Sequence, residues 1–152
     1  MQTIVIGADH RGFKLKEEIK SSLSEWGFLI DDVGAERYDP EDDHPDFARA
    51  MGERLHGMPG GKGILLCGSG VGIAVAANKM PGIRAGMCLS EDQAHAARSD
   101  SDANVLVLAA DYVTAPLARR IAKKFLETEF QPKERYVRRL KKIKEMEKMP
   151  RR

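Results

Sequence analysis

The chain of 152 residues is 42% hydrophobic and 32% charged, a balance that predicts one globular domain with a substantial core. Its first apolar run covers only residues 4–6 and charged residues follow at once, so we expect neither a signal peptide nor a membrane span. The two cysteines, Cys67 and Cys88, form no C-x-x-C pair, which excludes a cysteine metal motif and favours a reducing, cytoplasmic location.

Strand and helix patterns alternate along the chain. Short apolar runs predict strands over residues 3–8, 28–33, 64–67, 83–89 and 104–109. Apolar residues at helical spacing, bounded by Gly and Pro, predict helices over residues 13–26, 44–55, 91–98, 113–129 and about 134–148, and one more after residue 70. This alternation predicts a three-layer α/β/α sandwich around a five-stranded parallel sheet, with residues 1–152 in a single domain.

The formal net charge of +2 conceals a basic C-terminal helix and tail from about residue 130. Residues 133–152 contain ten Lys or Arg and three acidic residues, whereas the rest of the chain contains 15 Lys or Arg and 20 acidic residues. Val137, Leu140 and Ile143 recur at three-residue steps, so the predicted helix has an apolar side to bury. In the absence of a nucleic-acid motif or interleaved aromatic residues, we interpret this segment as a helix that packs across a subunit interface.

The central motif leads from the third predicted strand into the following helix and reads Cys67-Gly68-Ser69-Gly70-Val71-Gly72. Glycines allow a ligand to approach the backbone, and free amide groups at a helix start suit a phosphate or a developing oxyanion. Cys67 lies at the mouth of this loop, where a helix N-terminus favours a thiolate that can act as a base or nucleophile. A cysteine that closes an apolar strand is as often an inert buried thiol, so both interpretations stay open.

Two nucleotide-binding motifs are excluded. The spacing G-x-G-x-G differs from the dinucleotide fingerprint, and no acidic residue closes a second strand about 20 residues later, so a nicotinamide cofactor is not expected. Gly61-Lys62 precedes a strand instead of opening a helix, which excludes a P-loop. Because sites in parallel sheets lie at the carboxyl ends of strands, we expect Asp9, His10, Cys67 and the turn after Cys88 along one edge.

Further motifs accompany this loop in a fixed order: Gly7-Ala8-Asp9-His10-Arg11-Gly12, Asp43-His44-Pro45-Asp46-Phe47-Ala48, Ala76-Ala77-Asn78-Lys79 and Pro81-Gly82-Ile83-Arg84-Ala85. Together they resemble the ribose-5-phosphate isomerase B / galactose-6-phosphate isomerase family over essentially the whole chain. The resemblance implies a Rossmann-like sheet, a homodimer or dimer of dimers with sites between subunits, and no metal or organic cofactor. It also implies aldose–ketose interconversion of a phosphosugar through an enediolate.

The resemblance assigns roles to individual residues. Cys67 matches the base of the family's cysteine branch and Ser69 matches the hydroxyl that assists it, whereas the other branch uses a glutamate where this chain has Ile73. This chemistry needs a base for the proton beside the carbonyl and donors for the enediolate oxygen. The implied contacts to the sugar and its phosphate are Asp9, His10, His44, Gly68, Gly70, Val71, Gly72, Ser101, Arg135 and Arg139.

Three positions depart from the family pattern. Asp100 aligns with the histidine that opens the sugar ring, and an ionised aspartate can accept the anomeric proton but is poorly suited to donate one. Asp111 aligns with a phosphate-contacting arginine, and His44 stands where a tyrosine is common. His44 and His95 are therefore alternative acids for ring opening.

Two functions stay open. The first is an aldose–ketose isomerase that acts on a pentose or hexose phosphate with a cysteine base. The second is a non-catalytic or altered-specificity sugar-phosphate-binding protein on the same fold. Cys67 and Ser69 favour the enzyme, whereas Asp100 and Asp111 favour the alternative; either way the expected partner is a small sugar phosphate, with no nucleic acid and no membrane.

Overall fold

The chain forms one parallel sheet with helices on both faces in a computed structural model, which describes residues 1–150. The strands are β1 (Thr3–Ala8), β2 (Leu29–Asp32), β3 (Lys62–Cys67), β4 (Ala85–Met87) and β5 (Val105–Ala109). The helices are α1 (Phe13–Glu25), α2 (His44–His56), α3 (Val71–Ala77), α4 (Glu91–Ser99), α5 (Ala115–Glu127) and α6 (Glu134–Met146). The strands pair in the order β2-β1-β3-β5-β4, and every pair is parallel, which confirms the predicted sheet.

Two hydrophobic layers enclose the sheet. One face packs against α1, α4 and α5, with Phe125 of α5 fully buried in that layer. The other face packs against α2 and α3, which contribute Met51 and Ile73. Because helices cover both faces, the central strands β1, β3 and β5 are buried at nearly every position and do not alternate between apolar and polar residues. The predicted Rossmann-like three-layer architecture is confirmed.

The elements begin and end near the predicted residues, and β4 differs most. The apolar run 83–89 predicts a seven-residue strand, but only Ala85–Met87 pair with β5. Apolar residues indicate which segment is buried, but the length of a strand is set by how many of its residues pair with the neighbouring strand. The helix α5 also begins later than predicted, because Thr114 Oγ1 accepts the Leu117 N–H at 3.3 Å and caps the helix there.

The order of the strands places a crevice between β1 and β3. The chain leaves β1 toward β2 on one side and returns through α2 to β3 on the other, so α1 and α2 cover opposite faces of the sheet. Such a switch in direction opens a gap at the carboxyl ends of the two strands, where ligands bind in open α/β sheets. Asp9 follows β1 and Cys67 ends β3, so both residues lie at this gap.

The last helix, α6, stays outside both hydrophobic layers. None of its residues is buried, and Val137, Ile143 and Met146 are among the exposed large apolar side chains. Together with the segment before β4, α6 lines a groove of about 940 Å³. The predicted C-terminal helix is confirmed, and Arg151 and Arg152 lie outside the described residues. Within residues 1–150, no helix combines the length and the apolar character needed to cross a membrane.

Candidate active site

Asp9 fixes the turn between β1 and α1. Its Oδ1 accepts the backbone N–H of Arg11 at 3.0 Å and of Gly12 at 3.1 Å, and the residue is buried. The Asp9 N–H in turn donates to Leu66 O at 3.3 Å, which joins this turn to the end of β3. The resemblance implies a sugar contact for Asp9, and the structure brings it next to the strand that carries Cys67.

His10 is held by Asp42, a residue of the acidic loop before α2. Asp42 Oδ1 lies 2.7 Å from His10 Nδ1 and also accepts the His10 backbone N–H at 2.9 Å. The hydrogen bond to Asp42 raises the pKa of His10 above its ordinary value, with a further contribution from the charge of Asp9, although desolvation acts in the opposite direction. His10 therefore keeps a positive charge to higher pH than a free histidine, which favours the binding of an anion.

Asp9, His10 and Asp42 each bring one potential ligand atom within 4.8 Å of the others, the spacing of a metal site. Hydrogen bonds already engage Asp9 Oδ1 and Asp42 Oδ1, so the cluster fits the orientation of a histidine better than the ligation of a cation. Asp42 Oδ2 is buried and finds no hydrogen-bond partner among residues 1–150.

Cys67 ends β3 with a free thiol that is 4% exposed. Hydrogen bonds from β5 hold the strand end and the loop, because Ala110 N donates to Cys67 O at 2.9 Å and Asp111 N donates to Gly68 O at 3.0 Å. Burial raises the pKa of Cys88, the second thiol, to about 11, so this thiol is almost entirely protonated near neutral pH and offers no thiolate to act as a base. Of the two cysteines, Cys67 is the one that leads directly into the glycine-rich loop.

The glycines of the loop permit close contacts that a side chain would block. Gly70 has φ +77°, a left-handed conformation, and a Cβ there would overlap Met87 Sδ at 2.5 Å. A Cβ on Gly72 would lie 2.7 Å from His44 Nε2, so the His44 ring packs directly on the loop. His44 Nδ1 is buried and has no hydrogen-bond partner among the described residues. His44 therefore joins the predicted site, at the start of α2.

The hydroxyl of Ser69 closes the same loop. Its Oγ accepts the Val71 N–H at 3.2 Å, and the side chain is only partly buried. Because the oxygen is used as an acceptor here, the hydroxyl hydrogen of Ser69 remains available for donation.

An ion pair that the sequence reasoning missed lies against this loop. Arg11 follows His10, and its guanidinium forms an ion pair with Asp111 after β5. It also packs on Gly68, where a Cβ would overlap the guanidinium carbon. The sequence does place opposite charges in the turns after β1 and β5. A contact between them can be predicted only if β1 and β5 are known to lie on either side of β3.

The remaining predicted residues lie at the other end of the sheet. Asp100 caps the C-terminus of α4, and Ser101 lies in the turn that leads into the amino end of β5. The strand β5 has five residues and thus spans about 16 Å, so these residues are well separated from Cys67 in one chain. Arg135 and Arg139 lie exposed on α6, which contacts the segment before β4 through the Gly82 N–H and Glu147 Oε1 at 3.0 Å. His95 is exposed on α4.

A parallel α/β sheet whose carboxyl edge carries a carboxylate, a histidine, a thiol and a glycine-rich loop is typical of enzymes that act on a small molecule. Residues 4–143 match the model of the Ribose/Galactose Isomerase family. The chain is 37% identical over 144 residues to the ribose-5-phosphate isomerase B of Mycobacterium tuberculosis, covering 95% of this chain and 89% of that protein.

Solved structures agree with this match. A ribose 5-phosphate isomerase from Thermotoga maritima superimposes with a TM-score of 0.90 and 40% identity, covering 95% of this chain and 98% of that one. The structure of ribose-5-phosphate isomerase B from Mycoplasma genitalium with bound ribulose-5-phosphate superimposes with a TM-score of 0.92 and 38% identity, covering 97% of each chain. The chain belongs to the ribose/galactose isomerase family and is an enzyme of the aldose–ketose isomerase class.

Proposed function

We propose that this protein interconverts ribose 5-phosphate and ribulose 5-phosphate and that Cys67 is the base. The observation that carries the proposal is the position of Cys67 and its glycine loop beside Asp9 and His10, at the gap between β1 and β3. The relatives named above support the choice of a pentose phosphate, since they are ribose-5-phosphate isomerases and one of their structures holds ribulose-5-phosphate.

The proton follows a short path in this proposal. The Cys67 thiolate removes the proton from C2 of the open-chain aldose, and the electron pair of that C–H bond forms the C1–C2 double bond of the enediolate. The π pair of the C1=O1 carbonyl moves onto O1, which becomes the negative oxygen. The resulting thiol returns the proton to C1, and Ser69 passes the hydroxyl proton of O2 to O1. Amide groups of the glycine loop stabilise the negative oxygen, and one such donor is worth about 3 kcal/mol in other enzymes.

Part of the site comes from a second copy of the chain in this proposal. Asp100 and Ser101 are separated from Cys67 by about the length of β5, and Arg135 and Arg139 lie exposed on α6. We infer that a neighbouring chain brings these four residues to the substrate. Exposed apolar surface on α3 and α6 supports the association, because Val71 and Val75 of α3 are each more than half exposed. The active unit is therefore a homodimer or a dimer of dimers, with the phosphate held by His10 and by the two arginines of the partner.

Cyclic substrates need an acid and a base for ring opening. We assign the anomeric proton to Asp100, which can accept it when ionised. We assign to His44 the donation of a proton to the ring oxygen of the sugar, since the His44 imidazole packs on Gly72 of the glycine loop.

The test of the base is exchange of the substrate C–H proton with solvent deuterium. Cys67→Ala removes the thiol, so exchange on ribose 5-phosphate should stop while the affinity for ribulose 5-phosphate stays close to wild type. Cys88→Ala serves as the matched control, because this second buried cysteine should leave exchange intact. Exchange at the wild-type rate in Cys67→Ala would refute the assignment.

The alternative function is binding of a sugar phosphate without turnover. The observation that favours it is the carboxylate of Asp111 at the mouth of the loop, where a phosphate dianion meets a like charge. Calorimetric binding of ribose 5-phosphate to the wild-type protein, together with the absence of any exchange, would establish this alternative.

A further inference from the structure

The Arg11 guanidinium lies against the glycine loop at the carboxyl edge of the sheet. It packs on Gly68, the first residue of the glycine loop, and follows His10 directly in the chain. The side chain is 56% exposed, so it is accessible to a ligand in the crevice. In the described residues its carboxylate partner is Asp111.

Asp111 reaches this place because the backbone holds it there. The Asp111 N–H donates to Gly68 O at 3.0 Å, and the preceding residue, Ala110, bonds to Cys67 O. Its side chain is 41% exposed. Arg11 therefore contacts the loop on one side and a fixed carboxylate on the other.

An exposed ion pair of this kind separates readily, because water screens both charges. A phosphate dianion offers a guanidinium more charge and more acceptor oxygens than a carboxylate does, and arginine binds phosphate with two parallel N–H bonds. His10 next to Arg11 adds a second cation, since Asp42 favours its protonated form. Two adjacent residues after β1 thus carry positive groups at the carboxyl edge of the sheet.

We propose that Arg11 binds the phosphate of the substrate and that Asp111 competes with the phosphate for the Arg11 guanidinium, which sets the affinity for phosphorylated sugars. This inference rests on the proposed function and deepens it. Asp111 acts through Arg11 in this scheme: in the free protein it engages the guanidinium, and it releases the guanidinium when the phosphate enters.

The test compares Arg11→Ala, Asp111→Asn and the double variant in steady-state kinetics on ribose 5-phosphate. Loss of a charge-assisted contact should raise KM about 10-fold or more in Arg11→Ala, with little change in kcat. Asp111→Asn should lower KM, because the guanidinium no longer has a competing carboxylate. In the Arg11→Ala background the same change should have no effect, since the two residues act on one contact.

Arg119→Ala is the matched control, because Arg119 also forms an exposed ion pair, with Glu25 at 2.6 Å, on the α1–α5 side of the molecule. It should leave KM unchanged. Arg11→Lys keeps the charge without the paired donors and should give an intermediate KM. Thermal unfolding of each variant verifies that it is folded.

Calorimetric titration with inorganic phosphate tests Arg11 without any turnover. Weaker phosphate binding in Arg11→Ala supports the inference even for a wild-type protein that proves inactive on ribose 5-phosphate, the result that would refute the proposed function. Equal phosphate affinity and equal KM in wild type and Arg11→Ala would overturn it. An equal gain from Asp111→Asn in both backgrounds would also overturn it, because Asp111 would then repel the phosphate directly.

Discussion

The contact between His10 and Asp42 gives a single residue a measurable effect on pH dependence. Asp42 favours the protonated imidazole through a 2.7 Å hydrogen bond, and this raises the pKa of His10. Below that pKa the ring is cationic, and as the pH rises through it the charge is lost. Under the proposed role of His10, the contact to the substrate phosphate is lost with the charge. Asp42, in the acidic loop before α2, thus extends to higher pH the range over which His10 is cationic.

Asp42→Asn should move the loss of substrate affinity to lower pH, because the variant no longer favours imidazolium. The measurement is KM for ribose 5-phosphate as a function of pH. Asp43→Asn is the matched control, since this neighbouring carboxylate makes no side-chain capping bond to α2 and is exposed. An unshifted KM profile in Asp42→Asn would show that His10 does not bind the substrate in its cationic form.

Sequence reasoning predicted some of these residues and missed others for a physical reason. Asp9 and Cys67 end apolar runs, and the carboxyl ends of parallel strands share one edge, so their proximity could be predicted. Arg11 and Asp111 are 100 positions apart. Their contact depends on the order of β1, β3 and β5, which alternation of strands and helices does not specify.

At the scale of elements, a buried lysine joins α1 to β2. Lys16 is fully buried, and its Nζ donates to both carboxylate oxygens of Asp32, at 2.9 and 2.8 Å, and to Ala35 O at 2.5 Å. Burial opposes the charge on Asp32, but hydrogen bonds from Lys16, Lys20 and the Gly34 N–H outweigh burial and lower its pKa. The pair thus fixes the helix against the edge strand.

Lys16→Met should destabilise the fold by about 3 kcal/mol, because it leaves a partly buried carboxylate without its principal partner. Denaturant unfolding at neutral pH measures the difference. Lys20→Met is the control: Lys20 contacts the same carboxylate at 2.8 Å but is more exposed, so its loss should cost less than about 1 kcal/mol.

The sign of the pH effect follows from the lowered pKa of Asp32. The ionised carboxylate stabilises the folded state above its ordinary pKa of 3.8, and this contribution disappears as the pH falls through the lowered value. The difference in the free energy of unfolding between wild type and Lys16→Met should therefore become smaller at acidic pH. A constant difference down to pH 2 would show that packing of the lysine stem, and not the charge pair, accounts for the loss.

The type and order of the helices and strands could be predicted from the spacing of apolar residues and the positions of Gly and Pro. The lengths of these elements and the pairing of the strands could not. The run 83–89 reads as a full strand, yet β4 is an edge strand that pairs over three residues. Lys16 illustrates a second limit. It falls among apolar residues of α1 at helical spacing, but its charge predicts an exposed side chain unless Asp32 is known to face it.

At the scale of the whole molecule, the proposed site consists of two halves at opposite ends of one sheet. Cys67 lies at the carboxyl edge, and Arg135 and Arg139 lie on α6, whose C-terminal end contacts the segment before β4. If two chains share each site, a variant that lacks one half can be complemented by a variant that lacks the other.

We therefore expect mixtures of Cys67→Ala with the double variant Arg135→Ala/Arg139→Ala to regain activity. Each is nearly inactive alone, and random reassembly into mixed dimers restores about a quarter of the wild-type sites. The measurement is the rate on ribose 5-phosphate after joint unfolding and refolding. Cys67→Ala mixed with Cys67→Ala/Cys88→Ala is the control and should stay inactive. No recovery, in a mixture in which mixed dimers are demonstrated by mass spectrometry, would place both halves of the site within one chain.

The exposed side of α6 has a consequence for the chain when it is alone. A helix without buried residues, connected to the core through Gln131 and Glu147, derives little of its order from its own subunit. In the proposed dimer, the arginines of α6 therefore gain a fixed position only when a second copy of the chain binds. If the active unit is the proposed dimer, turnover of the sugar phosphate depends on the association of two chains. Catalytic capacity in a dilute population then grows with the square of chain concentration and becomes linear once every chain is paired.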